Sequence, residues 1–329
     1  MALAANGITE GEDDGMHVRR IPTRLGREAA FAALYAETYA TAVRFRPDIT
    51  LAMHIVASPA TSLVRHGLGV PTLLYLHAKE VAASPALARF AVRRSDRIVA
   101  VSRYTRGLGE AAGANPARIE IVPPGVDPIG PRSEGPRDSV PTILTTARLE
   151  DRYKGHDVIV RALPLIRATV PEVRWIVIGD GPLRDEIAAS AEAYGVREAI
   201  SFEGVVSDAQ RDAWLARAHV FAMPSRIPTD GGAGEGFGIV YLEAGAQGLP
   251  VVAGDRGGAV DAVQDSVTGL LVDAADPVAV ADAVSGLLSD PGRAATMGEA
   301  GRRRAAELSW DATADHVERL LHELIATRR

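Results

Sequence analysis

The sequence predicts two doubly wound α/β domains, each with a parallel sheet covered by helices on both faces. Three observations support this fold class. Short β-branched apolar runs alternate with helical patterns along the chain. A segment rich in proline and glycine, 123–136, interrupts the alternation, and the same pattern restarts after it. The chain has 329 residues, enough for two domains of ordinary size.

The first half of the chain shows five strand candidates with helical patterns between them. Each candidate is a short apolar run rich in β-branched residues. The strand candidates are His17–Pro22, Ile49–Val56, Thr72–His77, Arg97–Ser102 and Arg118–Val122. The helical patterns cover Arg27–Phe45, Ala83–Arg94 and Arg103–Ala112.

The segment 123–136 is predicted to be an interdomain linker. Its proline, glycine and serine residues cannot continue a helix or a strand. We therefore expect a first domain over 1–134 and a second domain over 135–308. Because ligands of open α/β folds bind at the carboxyl ends of the strands, two such domains facing each other imply a cleft between them.

The second half repeats the strand–helix alternation. Its strand candidates are Thr142–Ala147, Arg174–Ile178, Ile200–Phe202, His219–Ala222, Pro250–Ala253 and Gly269–Val272. Helices are predicted in the gaps and over the closing segments Pro277–Leu288, Gly292–Glu307 and Asp311–Thr327. Asp276 before Pro277 is a typical helix start, an N-cap acid followed by proline at the first helical position.

Composition and charge exclude several classes of function. There is no cysteine, which excludes disulfides and thiolate nucleophiles and is compatible with a reducing cytoplasm. No apolar run approaches the roughly 18 residues that span a bilayer. Residues 1–134 carry 16 Lys and Arg against 13 Asp and Glu, and the remainder carries 20 against 29. The basic first half indicates a solvated helix face, or alternatively an anionic acceptor or acidic lipid surface. Few aromatic residues accompany the arginines, which disfavours nucleic-acid binding.

A glycine-rich loop runs directly into an apolar helical pattern at Gly231–Glu243. Glycines let backbone N–H groups approach a ligand closely, and the positive end of the following helix points at the same place. Glu235 and Glu243 would share a helix face if Glu235 stood at the helix start. Carboxylates in such positions suit hydroxyl groups, because each accepts several hydrogen bonds. The alternative is an ordinary first-turn glutamate followed by a surface glutamate.

Two cations follow the first strand of the second half. Arg148 comes directly after Thr142–Ala147, and Lys154 stands six residues later. Cations at the carboxyl end of a strand, just before a helix, are placed to hold a pyrophosphate and to neutralise its charge as it leaves. The alternative is an ordinary surface arginine and lysine.

The order of these motifs is more specific than any one of them. After the two cations come Ile178–Leu183, Phe202–Asp208, Met223–Ser225 and then Glu235 and Glu243. This order resembles the donor domain of the retaining GT-B glycosyltransferases, in the family 4-like group that contains the phosphatidylinositol-mannoside mannosyltransferases. The resemblance covers about 141–310 and, more weakly, 70–128.

The resemblance implies a role for each matching residue. Arg148 and Lys154 would grip the donor diphosphate, Glu235 would bind hydroxyls of the donor sugar, and Glu243 would hold the ribose. The other donor-binding positions that it implies are Gly181, the backbone near Val205 and Val206, and the amides of Gly236, Phe237 and Gly238. The terminal segment 309–329 matches the family's last helix, which packs back on the first domain.

The first half contributes two further candidates. His77 closes an apolar strand, and the resemblance implies that it lies near the transferred sugar as a catalytic residue. A histidine at a strand end is otherwise commonly structural. Arg103 begins the helix after Val99–Ser102 and is expected to reach an anionic group of the acceptor.

The resemblance implies a hexosyltransferase that retains the anomeric configuration. The preferred reaction moves mannose from GDP-mannose to a hydroxyl acceptor such as an inositol phospholipid or a glycan intermediate. A donor phosphate oxygen would help to take the acceptor proton on the same face. The alternatives are a UDP-glucose or UDP-GlcNAc transferase acting on a small molecule, a GT-B epimerase, and an inactive donor-binding protein.

We expect no cofactor and no metal. The sequence has no Asp-x-Asp pair to carry a divalent cation, so side-chain cations and helix dipoles would do the metal's electrostatic work. The expected location is the cytoplasm, and a lipid-linked acceptor would add weak peripheral contact with the inner face of the plasma membrane.

The start of the chain departs from the family pattern. Members of the family open with a strand and a glycine-rich loop, whereas Met1 stands just before the apparent second strand, and the polar stretch Asn6–Gly15 replaces what lies upstream. We expect either a first domain that lacks its first β–α unit or a true start further upstream.

Overall fold

The structure is a computed structural model, and it describes residues 2–4, 10–13, 15–22, 26–127 and 137–327. Most of the predicted linker, 128–136, lies outside the described residues. The chain divides into two compact units. The first unit comprises residues 1–100, 105–121 and 316–329, and the second comprises 101–104 and 122–315. The domain boundaries expected from the sequence stay predictions.

The described part of the first unit contains two sheets. The larger is parallel throughout, with the order β4-β5-β6-β7, and consists of Thr50–Ala52 (β4), Thr72–Leu76 (β5), Arg97–Ala100 (β6) and Ile119–Ile121 (β7). The smaller has the order β1-β3-β2 and consists of Ala2–Ala4 (β1), Glu10–Asp13 (β2) and Met16–Pro22 (β3). No strand is predicted before His17, so β1 and β2 are additions that the polar composition did not indicate.

The helices of the first unit follow its strands. They are Arg27–Phe45 (α1), Ser58–Leu68 (α2), Ala78–Ala83 (α3), Pro85–Arg94 (α4) and Arg103–Ala111 (α5), the last of which begins in the second unit. The sequence predicts α1 with the same bounds but misses α2. The strand predicted over Ile49–Val56 is wrong beyond Ala52, because the His54 side chain accepts the Val56 N–H and starts a 3-10 helix at Ile55–Ala57.

The described second unit is built on a parallel sheet with the order β10-β9-β8-β11-β12-β13. This is the strand order of a doubly wound fold, which reverses between β8 and β11, and ligands of such folds bind outside the carboxyl ends of the strands at that reversal. The strands are Thr142–Thr146 (β8), Arg174–Ile178 (β9), Ile200–Gly204 (β10), Val220–Met223 (β11), Val251–Gly254 (β12) and Gly269–Val272 (β13).

Helices connect these strands and close the chain. They are His156–Thr169 (α6), Arg184–Ala193 (α7), Asp208–Arg217 (α8), Ile239–Ala246 (α9), Ala259–Ala262 (α10), Pro277–Ser289 (α11), Pro291–Glu307 (α12) and Trp310–Ala326 (α13). The helix start predicted at Asp276 is confirmed, because its carboxylate accepts the Val278 N–H at 2.8 Å.

Each unit has its own apolar core beneath its helices. In the second unit the core surrounds Trp175, whose indole N–H donates to the Thr145 hydroxyl at 2.9 Å. In the first unit it surrounds Leu74, Leu76 and Ile98. Two parallel-sheet α/β units confirm the predicted fold class. Among the described residues, no helix is long and apolar enough to cross a membrane.

Candidate functional site

Two loops of the second unit meet at the reversal of strand order, one after β8 and one after β11. Gly155 ends the short 3-10 helix Arg152–Lys154 with a φ of 84°. A Cβ on Gly155 would lie 2.1 Å from the Pro224 carbonyl oxygen, so only glycine allows this approach. The Arg226 N–H donates to the Tyr153 carbonyl at 2.9 Å, which joins the two loops.

A bidentate ion pair strengthens the same junction. The Arg226 guanidinium donates to both carboxylate oxygens of Asp157, at 2.9 and 3.0 Å. Fork-to-fork pairing of this kind fixes geometry as well as charge. The sequence analysis did not identify Arg226 or Asp157, because their positions show no recognisable spacing.

The two loops bring Lys154 and Glu235 into contact. The Lys154 ammonium donates to Glu235 Oε2, and the side chains are only 17% and 12% exposed. The ammonium also lies 5.1 Å from the centre of the Tyr153 ring, within the range of a cation–π interaction. A cation suited to phosphate and an anion suited to hydroxyl groups thus stand side by side.

The Tyr153 hydroxyl is affected by the charges of both Glu235 and Arg148. Burial and the neighbouring Glu235 carboxylate raise the pKa of the Tyr153 hydroxyl, whereas the Arg148 charge lowers it. The Arg148 side chain is 70% exposed and lies 3.6 Å from Glu150. Lys154 and Glu235 are therefore in contact beside Tyr153, whereas Arg148 acts on the Tyr153 hydroxyl only through its charge.

The glycine-rich loop differs from the sequence expectation in one respect. Helix α9 begins at Ile239, after Gly238 with a φ of 91°, so Glu235 lies in the loop and not at the helix start. The condition under which Glu235 and Glu243 would share a helix face is therefore not met. A positive φ cannot belong to a helix, so Gly238 delays its beginning. Phe237 is buried at 3% exposure and anchors the loop.

Glu243 lies on α9 in a strongly charged neighbourhood. Burial raises the pKa of its carboxyl group, the Arg211 guanidinium opposes that rise from 3.8 Å, and Asp208 and Asp212 add to it. Arg211 also donates to Asp208 at 3.0 Å and to Asp212 at 3.1 Å. Glu243 is thus a half-buried acceptor held next to a cation.

Of the remaining predicted donor-binding positions, Gly181 and the pair Val205 and Val206 lie at the carboxyl ends of β9 and β10, and Gly236 lies in the glycine-rich loop. Gly181 has a φ of 154°, and a Cβ there would lie 2.5 Å from the Leu149 carbonyl oxygen, so the loop after β9 packs directly on the loop after β8. Val205 follows β10 and is 85% exposed, and Val206 stands next to it, half-buried. Gly236 accepts at its carbonyl oxygen from Ser102 at 2.6 Å.

His77 lies in the first unit, directly after β5 at the carboxyl edge of its sheet. Its backbone N–H donates to Glu80 Oε1 at 3.0 Å, which forms part of a helix capping box. Partial desolvation lowers the pKa of the His77 ring, against an opposing hydrogen bond with the Met53 backbone. The ring stacks on Tyr75, with 6.0 Å between ring centres.

The sequence analysis missed His54, which belongs to the same cluster. His54 Nε2 lies 2.9 Å from Glu80 Oε2, and the Ile55 N–H donates to the same oxygen at 3.3 Å. The Glu80 side chain is only 3% exposed, and burial raises its pKa to about 7. The alternating apolar pattern predicted His54 to lie within a strand, so no signal marked it.

Arg103, predicted to bind an anionic acceptor group, pairs with Asp261. Its backbone N–H and its Nε donate to the two carboxylate oxygens at 2.6 and 2.5 Å, and its side chain is 70% exposed. Among the described residues, no group of three or more potential ligands is arranged to hold a metal ion.

Comparisons with known proteins extend this description. Residues 129–304 match the family model of glycosyl transferases group 1, and residues 2–129 match that of glycosyltransferase family 4. A GDP-mannose-dependent alpha-(1-6)-phosphatidylinositol monomannoside mannosyltransferase of Mycolicibacterium smegmatis is 40% identical over 67% of this chain and 61% of the relative. A GDP-mannose-dependent monoacylated alpha-(1-6)-phosphatidylinositol monomannoside mannosyltransferase of Corynebacterium glutamicum is 36% identical over 69% of this chain and 62% of the relative. The aligned part thus spans about three fifths of the length of these relatives.

Solved structures show the same fold at low sequence identity. A sucrose-phosphate synthase of Thermosynechococcus elongatus superposes with a TM-score of 0.82 at 21% identity, over 98% of this chain and 87% of that one. HepE of Anabaena, in complex with UDP and glucose, superposes with a TM-score of 0.78 at 20% identity, over 94% and 87%. These likenesses concern the fold alone.

Proposed function

The chain belongs to the glycosyl transferases group 1 family, and from that premise we propose that it is a retaining hexosyltransferase with a nucleoside-diphosphate sugar as donor. The proposed reaction moves mannose from GDP-mannose to a hydroxyl acceptor such as an inositol phospholipid or a glycan intermediate. The names of the mannosyltransferase relatives support this donor and this acceptor class. The contact between Lys154 and Glu235 at the reversal of strand order is the structural observation that carries the proposal.

In the proposed site, the cations bind the diphosphate and the acid binds the sugar. Lys154 and Arg148 hold the two phosphates and neutralise negative charge as the diphosphate departs. Glu235 accepts hydrogen bonds from hydroxyls of the transferred sugar. Because Lys154 and Glu235 are in contact, the proposal has the diphosphate and the transferred sugar bind within a few ångströms of each other, on either side of the sugar–phosphate bond that breaks.

The remaining donor contacts follow from the loops around this pair. Glu243 binds the ribose hydroxyls, and the backbone near Val205 and Val206 meets the base. Amides of Gly236, Phe237 and Gly238 approach sugar and phosphate at the start of α9, where the helix dipole favours negative charge. Gly181 keeps the loop after β9 close to the loop after β8.

The proposed chemistry retains the anomeric configuration without an enzymic nucleophile. The acceptor attacks from the face that the diphosphate leaves, and a donor phosphate oxygen takes the acceptor proton. His77 remains the catalytic candidate of the first unit. A role for Arg103 in acceptor binding requires an anionic group that competes with Asp261 for its guanidinium.

The first prediction concerns the contacting pair Lys154 and Glu235. Lys154→Ala and Glu235→Ala should each reduce transfer of mannose from GDP-mannose by about a hundredfold or more, because each removes a charge that acts on the transition state. The assay measures GDP release and labelled product with an extract of inositol phospholipids as acceptor. Addition of EDTA should leave the rate unchanged, because the proposal includes no metal.

Arg152→Ala is the matched control. Arg152 lies on the same 3-10 helix, but it pairs with Glu186 and is 63% exposed. Its loss should change the rate by less than about twofold, since exposed ion pairs contribute little. Unchanged transfer by both Lys154→Ala and Glu235→Ala would refute the proposed function.

A further inference from the structure

The loop that carries Glu235 is held from outside the sheet by a short segment of the first half of the chain. Residues Val101–Tyr104 follow β6 and belong to the second unit. Ser102 is fully buried and donates from its hydroxyl to the Gly236 carbonyl oxygen at 2.6 Å. The Tyr104 hydroxyl accepts the Gly234 N–H at 3.1 Å. Both neighbours of Glu235 are thus bonded to this segment.

The backbone of Glu235 itself is held by a third hydrogen bond. Its carbonyl oxygen accepts the Gly258 N–H at 2.7 Å. A Cβ on Gly258 would lie 2.0 Å from the Gly236 carbonyl oxygen, so the two backbones are in direct contact. Three hydrogen bonds therefore act on three consecutive residues, 234–236.

Such support matters because the loop has little stiffness of its own. Glycines flank Glu235 on both sides, and glycine loses more conformational freedom than any other residue when it is held in one conformation. The helix that could rigidify the segment begins only at Ile239. The position of the Glu235 carboxylate next to Lys154 therefore depends on bonds from other segments.

The holding segment is itself anchored. Between Ser102 and Tyr104 stands Arg103, whose backbone N–H and Nε both donate to Asp261, and the Asp261 side chain is only 13% exposed. One bond comes from the backbone and the other from the guanidinium, so the Asp261 carboxylate holds both the main chain and the side chain of Arg103. The backbone that carries the Ser102 and Tyr104 side chains is therefore held in place by Arg103.

We propose that Ser102 and Tyr104 are positioning residues for Glu235: their hydroxyls hold the glycine-flanked loop so that the carboxylate faces the donor sugar. This inference rests on the proposed function. It assigns a role in donor recognition to a segment that precedes the donor domain expected from the sequence.

A double-mutant cycle tests whether Tyr104 acts through Glu235. The dissociation constant for GDP-mannose is measured by calorimetry for the full chain and for Tyr104→Phe, Glu235→Ala and the double variant. Tyr104→Phe alone should weaken binding about threefold to tenfold, the effect of one lost hydrogen bond. In the Glu235→Ala background it should change nothing further, because the residue it positions is absent. Ser102→Ala should behave in the same way.

Each outcome decides the inference. Additive effects of Tyr104→Phe and Glu235→Ala, or full affinity in both hydroxyl variants, would overturn it while leaving Glu235 in its proposed role. Full affinity of Glu235→Ala would instead remove that role, and the inference with it. Tyr194→Phe, which removes a hydroxyl from a half-exposed tyrosine, is the control and should match the parent chain. Matching thermal unfolding of the variants confirms that the comparison concerns the site.

Discussion

The carboxyl group of Glu80 is buried in the first unit and has a strongly shifted pKa. Burial raises its pKa from 4.5 to about 7, although hydrogen bonds from the His77 and Ile55 backbones oppose the rise. Burial and the nearby His77 lower the pKa of His54 in turn. Because Glu80 and His54 lie 2.9 Å apart, we expect them to titrate as a coupled pair.

This shift predicts a pH dependence of stability. A carboxyl group with a raised folded-state pKa binds its proton more tightly in the folded chain. Its contribution is complete below pH 4.5 and is lost as the pH rises through about 7. Since one pKa unit corresponds to 1.36 kcal/mol, the loss is on the order of 3 kcal/mol.

Glu80→Gln removes this titration. Urea unfolding at a series of pH values from 4 to 9 should show that the parent chain loses stability relative to Glu80→Gln as the pH rises, by up to about 3 kcal/mol. The difference between the two chains is the quantity to compare, because ionisable groups remote from Glu80 contribute equally to both. Parallel stability curves would show that Glu80 titrates normally.

At the scale of the element, the residue before α10 determines the position of the glycine-rich loop, because the two backbones pack against each other. Gly258 precedes α10 with a φ of −79°, so its backbone would accept any residue. Space is the constraint, because a Cβ would lie 2.0 Å from the Gly236 carbonyl oxygen and 2.6 Å from the Phe237 nitrogen. Both are backbone atoms, so neither can move away without displacing the loop.

Gly258→Ala should therefore destabilise the chain and weaken donor binding together. Overpacking of this kind typically costs about 1–3 kcal/mol. Gly286→Ala is the contrasting substitution, since Gly286 lies inside α11 with no atom near its Cβ position, and it should stabilise by about 0.5–1 kcal/mol. Thermal unfolding measures whether Gly258→Ala destabilises and Gly286→Ala stabilises the chain, and a binding assay compares their affinities for GDP. Tight GDP binding by Gly258→Ala would contradict the prediction that Gly258 determines the position of the glycine-rich loop.

Local sequence predicted the elements better than their junctions. The bounds of α1, β9 and β13 agree with the structure, because a long run of helix-forming residues and short β-branched runs are properties of neighbouring residues. Helix α2 was missed, because its buried face consists mostly of serine, alanine and threonine, which do not stand out as apolar residues. The start of α9 at Ile239 follows from the positive φ of Gly238, which the residue type permits but does not require, so the sequence left this start open.

At the scale of the whole molecule, the proposed donor contacts all lie in the second unit. A nucleotide that binds only the folded second unit stabilises it by mass action, by about 2.7 kcal/mol at a hundred times its dissociation constant. Hydrogen exchange with saturating GDP should therefore slow in segments 147–156 and 231–243. UDP at the same concentration should slow them less. Unchanged exchange in both segments would place the nucleotide elsewhere.

The sequence by itself determined the alternation of strands and helices, the cations after a strand, the glycine-rich loop and the family resemblance. These features depend on residues close to one another along the chain, where periodicity and residue type act directly. The fold class follows from them, because strands alternating with helices pack in few ways.

Only the tertiary structure decided which of these residues meet. Lys154 and Glu235 stand 81 positions apart and touch because β8 and β11 are neighbours at the reversal of strand order. Tyr104 reaches Gly234 across 130 positions. Such contacts arise from the order of strands in the sheet and from backbone approaches that only glycine allows, and neither is encoded in a local pattern.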